Sequence, residues 1–161
     1  LYKLLEQIVA DYMTRQPRTV RRDTTMRELG ELFKKEDFNA YPATDDGRVL
    51  GIVSKFDYLS CFVFSAARIV PRYPDLMQRT VADVMTSEFI YVAPDTKLTR
   101  VLELMVSHDL RSVPVLEADQ RLAGIISRED VLHAVQDCAQ AAQSRSKASE
   151  LGASSPSPGF N

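Results

Sequence analysis

The chain has no tryptophan, two cysteines, two histidines and six glycines in 161 residues. Cys61 and Cys138 cannot build a disulfide framework, and their separation excludes zinc-ligand spacing. His108 and His133 are too few and too scattered for a histidine-based metal site, so no metal is expected. Such cysteine usage fits a reducing cytoplasm. Lys+Arg at 20 against Asp+Glu at 22 leaves a net charge of −2, without the basic excess of a nucleic-acid binder. Arg15, Arg18, Arg21 and Arg22 form a small basic cluster that reads as a solvated face. No run of eighteen apolar residues is present, so no membrane span is expected. The chain opens at Leu1 without a charged segment leading into an apolar one, so no secretory leader is expected either. There is no Gly-x-Ser-x-Gly, no Walker loop and no cysteine with a histidine partner. No catalytic residue is therefore assigned, and a non-enzyme is expected.

What is present is a repeat. Val9-Ala10-Asp11-Tyr12-Met13-Thr14 returns as Val81-Ala82-Asp83-Val84-Met85-Thr86. The same offset aligns Asp23-Thr24 with Asp95-Thr96, Glu31-Leu32 with Glu103-Leu104, and Pro42 with Pro114. After one inserted residue, Gly51-Ile52-Val53-Ser54 aligns with Gly124-Ile125-Ile126-Ser127, and Asp57 with Asp130. Two copies are too few for an open solenoid. They predict two similar units packed face to face, closing one core around a pseudo-twofold axis.

Each copy reads as strand, helix, strand, strand, helix, an α/β (α+β) unit. A short strand at Thr19-Val20, or Tyr91-Val92, follows the lead-in. Thr25 with Glu28 makes a capping box. Met26, Leu29, Leu32 and Phe33 then share a helix face, matched in the second copy by Leu98, Val101, Leu102 and Met105. Strands follow at Ala40 to Thr44 and Val49 to Val53, and at Ser112 to Leu116 in the second copy. The predicted layout is a first repeat at 8–66, a linker at 67–80, a second repeat at 81–138 and a flexible tail at 139–161. Pro71 and Pro74 are expected to break any helix between the repeats. Met13 and Met85 read as core or interface filler.

The chemistry rests on Gly-h-h-Ser-x-x-Asp, Gly51 to Asp57 and Gly124 to Asp130, where h is apolar. One reading is structural: Ser caps a helix, Asp closes the box, and Gly permits a close backbone approach. The other is functional. Free N–H groups at a helix start suit a phosphate, Lys55 or Arg128 adds a cation, and the carboxylate one turn in accepts from ribose hydroxyls. A duplicated capping box satisfies both.

Taken together and in order, the repeated Val-Ala-Asp-x-Met-Thr, the strands Ala40-Tyr41-Pro42 and Ser112-Val113-Pro114, and the repeated Gly-h-h-Ser-x-x-Asp resemble a tandem pair of cystathionine-β-synthase (CBS) domains, a Bateman module, over Ile8 to Val135. The resemblance implies a β-α-β-β-α fold per repeat and two clefts between the packed repeats. It implies a homodimer, an adenosyl ligand (AMP first, then ADP, ATP, S-adenosylmethionine or NAD) and an unidentified protein effector. Carried over by position, one cleft uses Ser54, Lys55 and Asp57 with Asn39 near the phosphates, walled by Ser112, Val113, Pro114, Val92 and Ala93. The other uses Ser127, Arg128 and Asp130 with Arg111 near the phosphates, walled by Ala40, Tyr41, Pro42, Thr19 and Val20. Two arginines make the second cleft the preferred one. Tyr41, large for its position, either stacks on adenine or fills space, and Phe62, Phe64 and Tyr73 are placed to plug a cleft. The alternative reading is a dimerisation module that binds no ligand.

Overall fold

The computed structural model describes residues 2–64 and 70–152. The first half runs α1 (Tyr2–Glu6), a 3-10 turn (Val9–Asp11), β1 (Thr14–Arg15), β2 (Val20–Arg21), α2 (Met26–Lys35), β3 (Ala40–Asp45), β4 (Arg48–Ser54) and α3 (Lys55–Ser60). The second half runs α4 (Tyr73–Gln78), α5 (Val81–Val84), α6 (Leu98–Ser107), β5 (Ser112–Leu116), β6 (Leu122–Ser127) and α7 (Arg128–Gly152). The expected capping box opens α2, where Thr25 and Glu28 satisfy each other's backbone N–H.

The repeats exchange their lead-ins. Strand β1, from the first copy, pairs antiparallel with β6 of the second, giving the sheet β1-β6-β5. The other sheet is β2-β3-β4, and Thr86 of the second copy bridges Ile52 at its free edge. The turns before these segments follow suit. Val9 N–H donates to the Thr96 carbonyl at 2.9 Å, and Val81 N–H donates to the Thr24 carbonyl at 2.8 Å. The glycine of each repeated motif makes this possible. A Cβ at Gly124 would lie 2.6 Å from the Thr14 carbonyl oxygen and 2.9 Å from the Met13 sulfur; at Gly51 it would lie 2.8 Å from the Thr86 oxygen and 2.9 Å from the Met85 sulfur. Both methionines thus pack on the glycine of the other copy, the interface role expected of them.

The exchange also divides the interior. Instead of one shared core there are two. Val9 and Met13 are buried with Leu98, Val101, Val113 and Ile126 in the second core, that of the second repeat, whereas Val81 is buried with Val20, Leu29, Tyr41 and Val53 in the first. Each core is completed by a valine from the opposite repeat. The hairpins β3-β4 and β5-β6 meet tip to tip through an antiparallel bridge between Arg48 and Arg121, equivalent positions of the two copies, so this bridge marks the pseudo-twofold axis.

Four local expectations are corrected. Pro74 does not break a helix: it occupies the first turn of α4, where no N–H is needed, and the helix buries Leu76 and Met77 against the first core. Leu102 is 40% exposed, and Leu104 packs on the core in its place. Tyr91 forms no strand, and Val92 makes only a single bridge to Val115. Helix α7 continues to Gly152, through a stretch of alanine, glutamine, arginine and lysine that favours helix; residues 153–161 of the expected tail lie outside the described residues. No helix among the described residues is long and apolar enough to cross a membrane.

Candidate functional site

Ser54 and Ser127 end β4 and β6 in extended backbone and cap the helices that follow. At Ser127 the backbone N–H and the hydroxyl both donate to Asp130 Oδ2 at 2.8 Å, and Asp130 N–H donates back to Ser127 Oγ at 3.2 Å. At Ser54 the corresponding distances are 2.7, 2.7 and 3.1 Å. The structural reading of the motif is therefore correct, and it leaves the functional one intact. One carboxylate oxygen closes the box, and Oδ1 of each aspartate takes no hydrogen bond among the described residues. Each aspartate also lines a cleft between the repeats.

The second cleft has a volume of about 560 Å³. The capping box of Ser127 and Asp130 lies on one side, with Arg111 and Arg128. Ala40 and Pro42 of β3 line it as well, and the segment Gln16-Pro17-Arg18 contributes beside them. Arg128 is held in place: its Nε donates to the Leu110 carbonyl at 2.7 Å and its Nη2 to Asp109 Oδ1 at 2.8 Å. Arg18 is held by Glu36, to which its Nε donates at 2.9 Å. The hydrogen bond from Arg18 keeps the Glu36 carboxyl below the usual carboxylate range. Glu36 accepts in turn from the Tyr41 hydroxyl at 3.0 Å. Burial, then the neighbouring Glu36, pushes the Tyr41 phenol up to about 12. Arg111 is exposed and makes no side-chain hydrogen bond or ion pair with the described residues.

The first cleft, about 410 Å³, is the pseudo-symmetric mate. Ser54 and Asp57 line it with Ser112 and Pro114, and Thr86, Glu88, Phe89 and Ile90 take the place of Thr14 and Gln16-Pro17-Arg18.

Of the expected residues, the structure brings together Ser127, Arg128, Asp130 and Arg111 in the second cleft, and Ser54, Asp57 and Pro114 in the first, while Ala40, Pro42 and Ser112 line both. Others fall elsewhere. Tyr41 touches the lining of the first cleft rather than the second, and at 1% exposure, its ring 5.1 Å from that of Phe33 and 5.9 Å from that of Phe38, it fills the core rather than presenting a stacking face. Val20, Val92 and Val113 are core residues, and neither Thr19 nor Ala93 lines a cleft. Asn39 lines the second cleft rather than the first, and Lys55 lies 3.8 Å from Asp37 outside both linings. Phe62 packs on the first core, while Phe64 and Tyr73 are exposed and plug neither cleft. Arg18, one of the basic cluster, also lines the second cleft while its side chain stays half exposed, and the cluster is the signal in the sequence that leads to it.

The family model described as "CBS domain" matches this chain twice, over residues 9–63 and 81–137. A CBS-domain containing protein from Agrobacterium tumefaciens, ATU1752, is similar in structure with a TM-score of 0.66 and 30% identity, covering 80% of this chain and 98% of that one. CBSX2, solved in complex with AMP, gives a TM-score of 0.70 and 26% identity, covering 81% of this chain and 97% of that one. Among curated proteins, the A-adding tRNA nucleotidyltransferase of Geobacter sulfurreducens is 32% identical over 140 residues, which are 82% of this chain and 14% of the enzyme. The chain spans less than half the length of the first curated relatives it matches.

Proposed function

The chain belongs to the CBS domain family, with two copies of the domain in tandem, and from that premise we infer that it senses an adenosyl nucleotide held in the second cleft. We read the pair as a regulatory module rather than a catalyst, and AMP bound to CBSX2 supports that reading. The observation that carries the reading is the meeting of Arg111 and Arg128 with the Ser127–Asp130 box in one cleft walled by Ala40 and Pro42. A phosphate accepts from the two guanidinium groups. Ribose hydroxyls donate to Asp130 Oδ1, and adenine lies against the β3 wall. AMP in CBSX2, at 26% identity, supports AMP as the first ligand to try, ahead of ADP, ATP, S-adenosylmethionine and NAD.

The signal is a population shift. A ligand bridging the repeats favours one arrangement over another, by no more than its differential affinity for the two. The reader of that shift is a protein effector. A homodimer is supported by the apolar groove on α6 and α7, where Leu102, Val106, Leu132 and Val135 are exposed. Two free thiols suit a reducing cytoplasm.

A thermal-shift panel tests the reading. A ligand at 100 times its dissociation constant adds about 2.7 kcal/mol, or roughly 5–10 °C for a chain of this size. A shift with AMP that Arg111→Ala removes supports the second cleft. A flat panel makes the ligand-free dimerisation module the better account.

A further inference from the structure

The pseudo-twofold axis makes the two clefts a controlled comparison. Serine and aspartate are retained at equivalent positions, Ser127 and Asp130 against Ser54 and Asp57, but the surrounding charges are not. Gln16 of the second cleft becomes Glu88 in the first, and Arg18 becomes Ile90. Arg111 of the second cleft corresponds to Asn39, which does not line the first. Lys55, the counterpart of Arg128, pairs with Asp37 as Arg128 pairs with Asp109, but only Arg128 lines its cleft. Among the described residues the first cleft is thus lined by two carboxylates, Asp57 and Glu88, with His108 and no lysine or arginine, whereas the second carries three arginines, Arg18, Arg111 and Arg128, beside three carboxylates, Asp37, Glu129 and Asp130.

We propose that the two clefts take adenosyl ligands of opposite charge: the second a phosphorylated nucleotide, the first an adenosyl compound without phosphate, with a neutral or cationic 5′ substituent. This rests on reading the clefts as adenosyl sites. A phosphate entering the first cleft meets the like charges of Asp57 and Glu88, and no lysine or arginine in the described lining offsets them. A cationic 5′ group gains from the same two carboxylates. The apolar pair Phe89 and Ile90 suits a thioether or sulfonium carbon skeleton better than the Pro17–Arg18 pair opposite it does. The chain would then weigh two adenosyl pools against each other.

Calorimetric titration of the full chain with ADP, 5′-methylthioadenosine and S-adenosylmethionine tests this. ADP is expected to bind one equivalent, lost in Arg111→Ala and retained in Glu88→Gln. The two phosphate-free compounds are expected to bind one equivalent to ADP-saturated protein. Glu88→Gln should weaken S-adenosylmethionine roughly tenfold and leave the neutral thioether unchanged, which separates a cationic from a neutral preference. Glu88 is exposed, so Glu88→Arg retains the fold and should raise the ADP stoichiometry from one to two. Two equivalents of ADP on the unaltered chain, or phosphate-free compounds competing with ADP for one shared site, would overturn the charge assignment while leaving the adenosyl reading standing. Absence of binding by all three compounds overturns both.

Discussion

Replacing Gly124 by alanine tests the exchanged lead-ins at a single atom. The new Cβ would stand 2.6 Å from the Thr14 carbonyl oxygen and 2.9 Å from the Met13 sulfur. The carbonyl belongs to β1, whose Arg15 faces Gly124 and whose Thr14 faces Ile125 across the ladder. It cannot swing aside as a side-chain tip would. Met13 is itself buried in the second core. Relief therefore requires β1 to move off β6, an overpacking strain of about 2 kcal/mol. For a chain of this size that lowers the melting temperature by about 4–8 °C. Gly51→Ala should behave alike, because the Thr86 oxygen and Met85 sulfur lie at 2.8 and 2.9 Å. The ligand effects should separate. Moving β1 disturbs Thr14 and Gln16 of the second cleft, whereas moving the Thr86 segment disturbs Glu88 of the first. Differential scanning calorimetry with and without AMP reads both effects. Two variants that melt within about 1 °C of the parent would refute the close-approach reasoning.

Three further outcomes are expected. A fragment of residues 81–152 lacks Val9 and Met13 of its own core, so it should give no cooperative melt by circular dichroism until a peptide covering residues 2–16 is added; a cooperative melt by the fragment alone contradicts the exchange. The neutral Tyr41 phenol is favoured in the folded chain, its pKa pushed up to about 12, so this group's stabilisation is intact below the ordinary tyrosine range near 10 and is lost as pH rises from there toward 12. Tyr41→Phe should flatten that alkaline loss and, by removing the bond to Glu36, cost about 1 kcal/mol at neutral pH in urea unfolding. Truncation after Ala139 should shift the melting temperature by less than about 2 °C, since from Gln140 to Ala148 only Ala141 is even partly buried.

Features set by neighbours in the chain were legible before the structure. The capping boxes at Thr25, Ser54 and Ser127 close within four residues, so residue type and spacing suffice to identify them. The strands around Pro42 and Pro114 and the fold class were legible for a related reason: the pattern occurs twice. The lead-in exchange was not. Val9 and Val81 sit in matching hexapeptides, and no local property says which core each completes; that choice is made by long-range packing. The cleft walls were misplaced by a few residues for the same reason. Val20 and Val92 follow the segments Gln16–Arg18 and Glu88–Ile90 that face the clefts, and their side chains turn inward to the cores. Tyr41 illustrates how position outweighs type. An aromatic ring beside a nucleotide cleft suggests stacking, but β3 turns it toward Phe33, with its hydroxyl anchored on Glu36. Arg18 is the converse, an arginine in a basic cluster that Glu36 holds at the edge of the second cleft.

The most direct measurement is an equilibrium titration of the chain with AMP, followed by calorimetry and repeated on Arg111→Ala. Arg111 lies outside both cores and outside the capping boxes, so its loss leaves the fold intact and removes only a cation from the second cleft. The account predicts saturable binding to the unaltered chain and at least about tenfold weaker binding to the variant. Equal affinity in the two proteins, or no saturable binding in either, would contradict it.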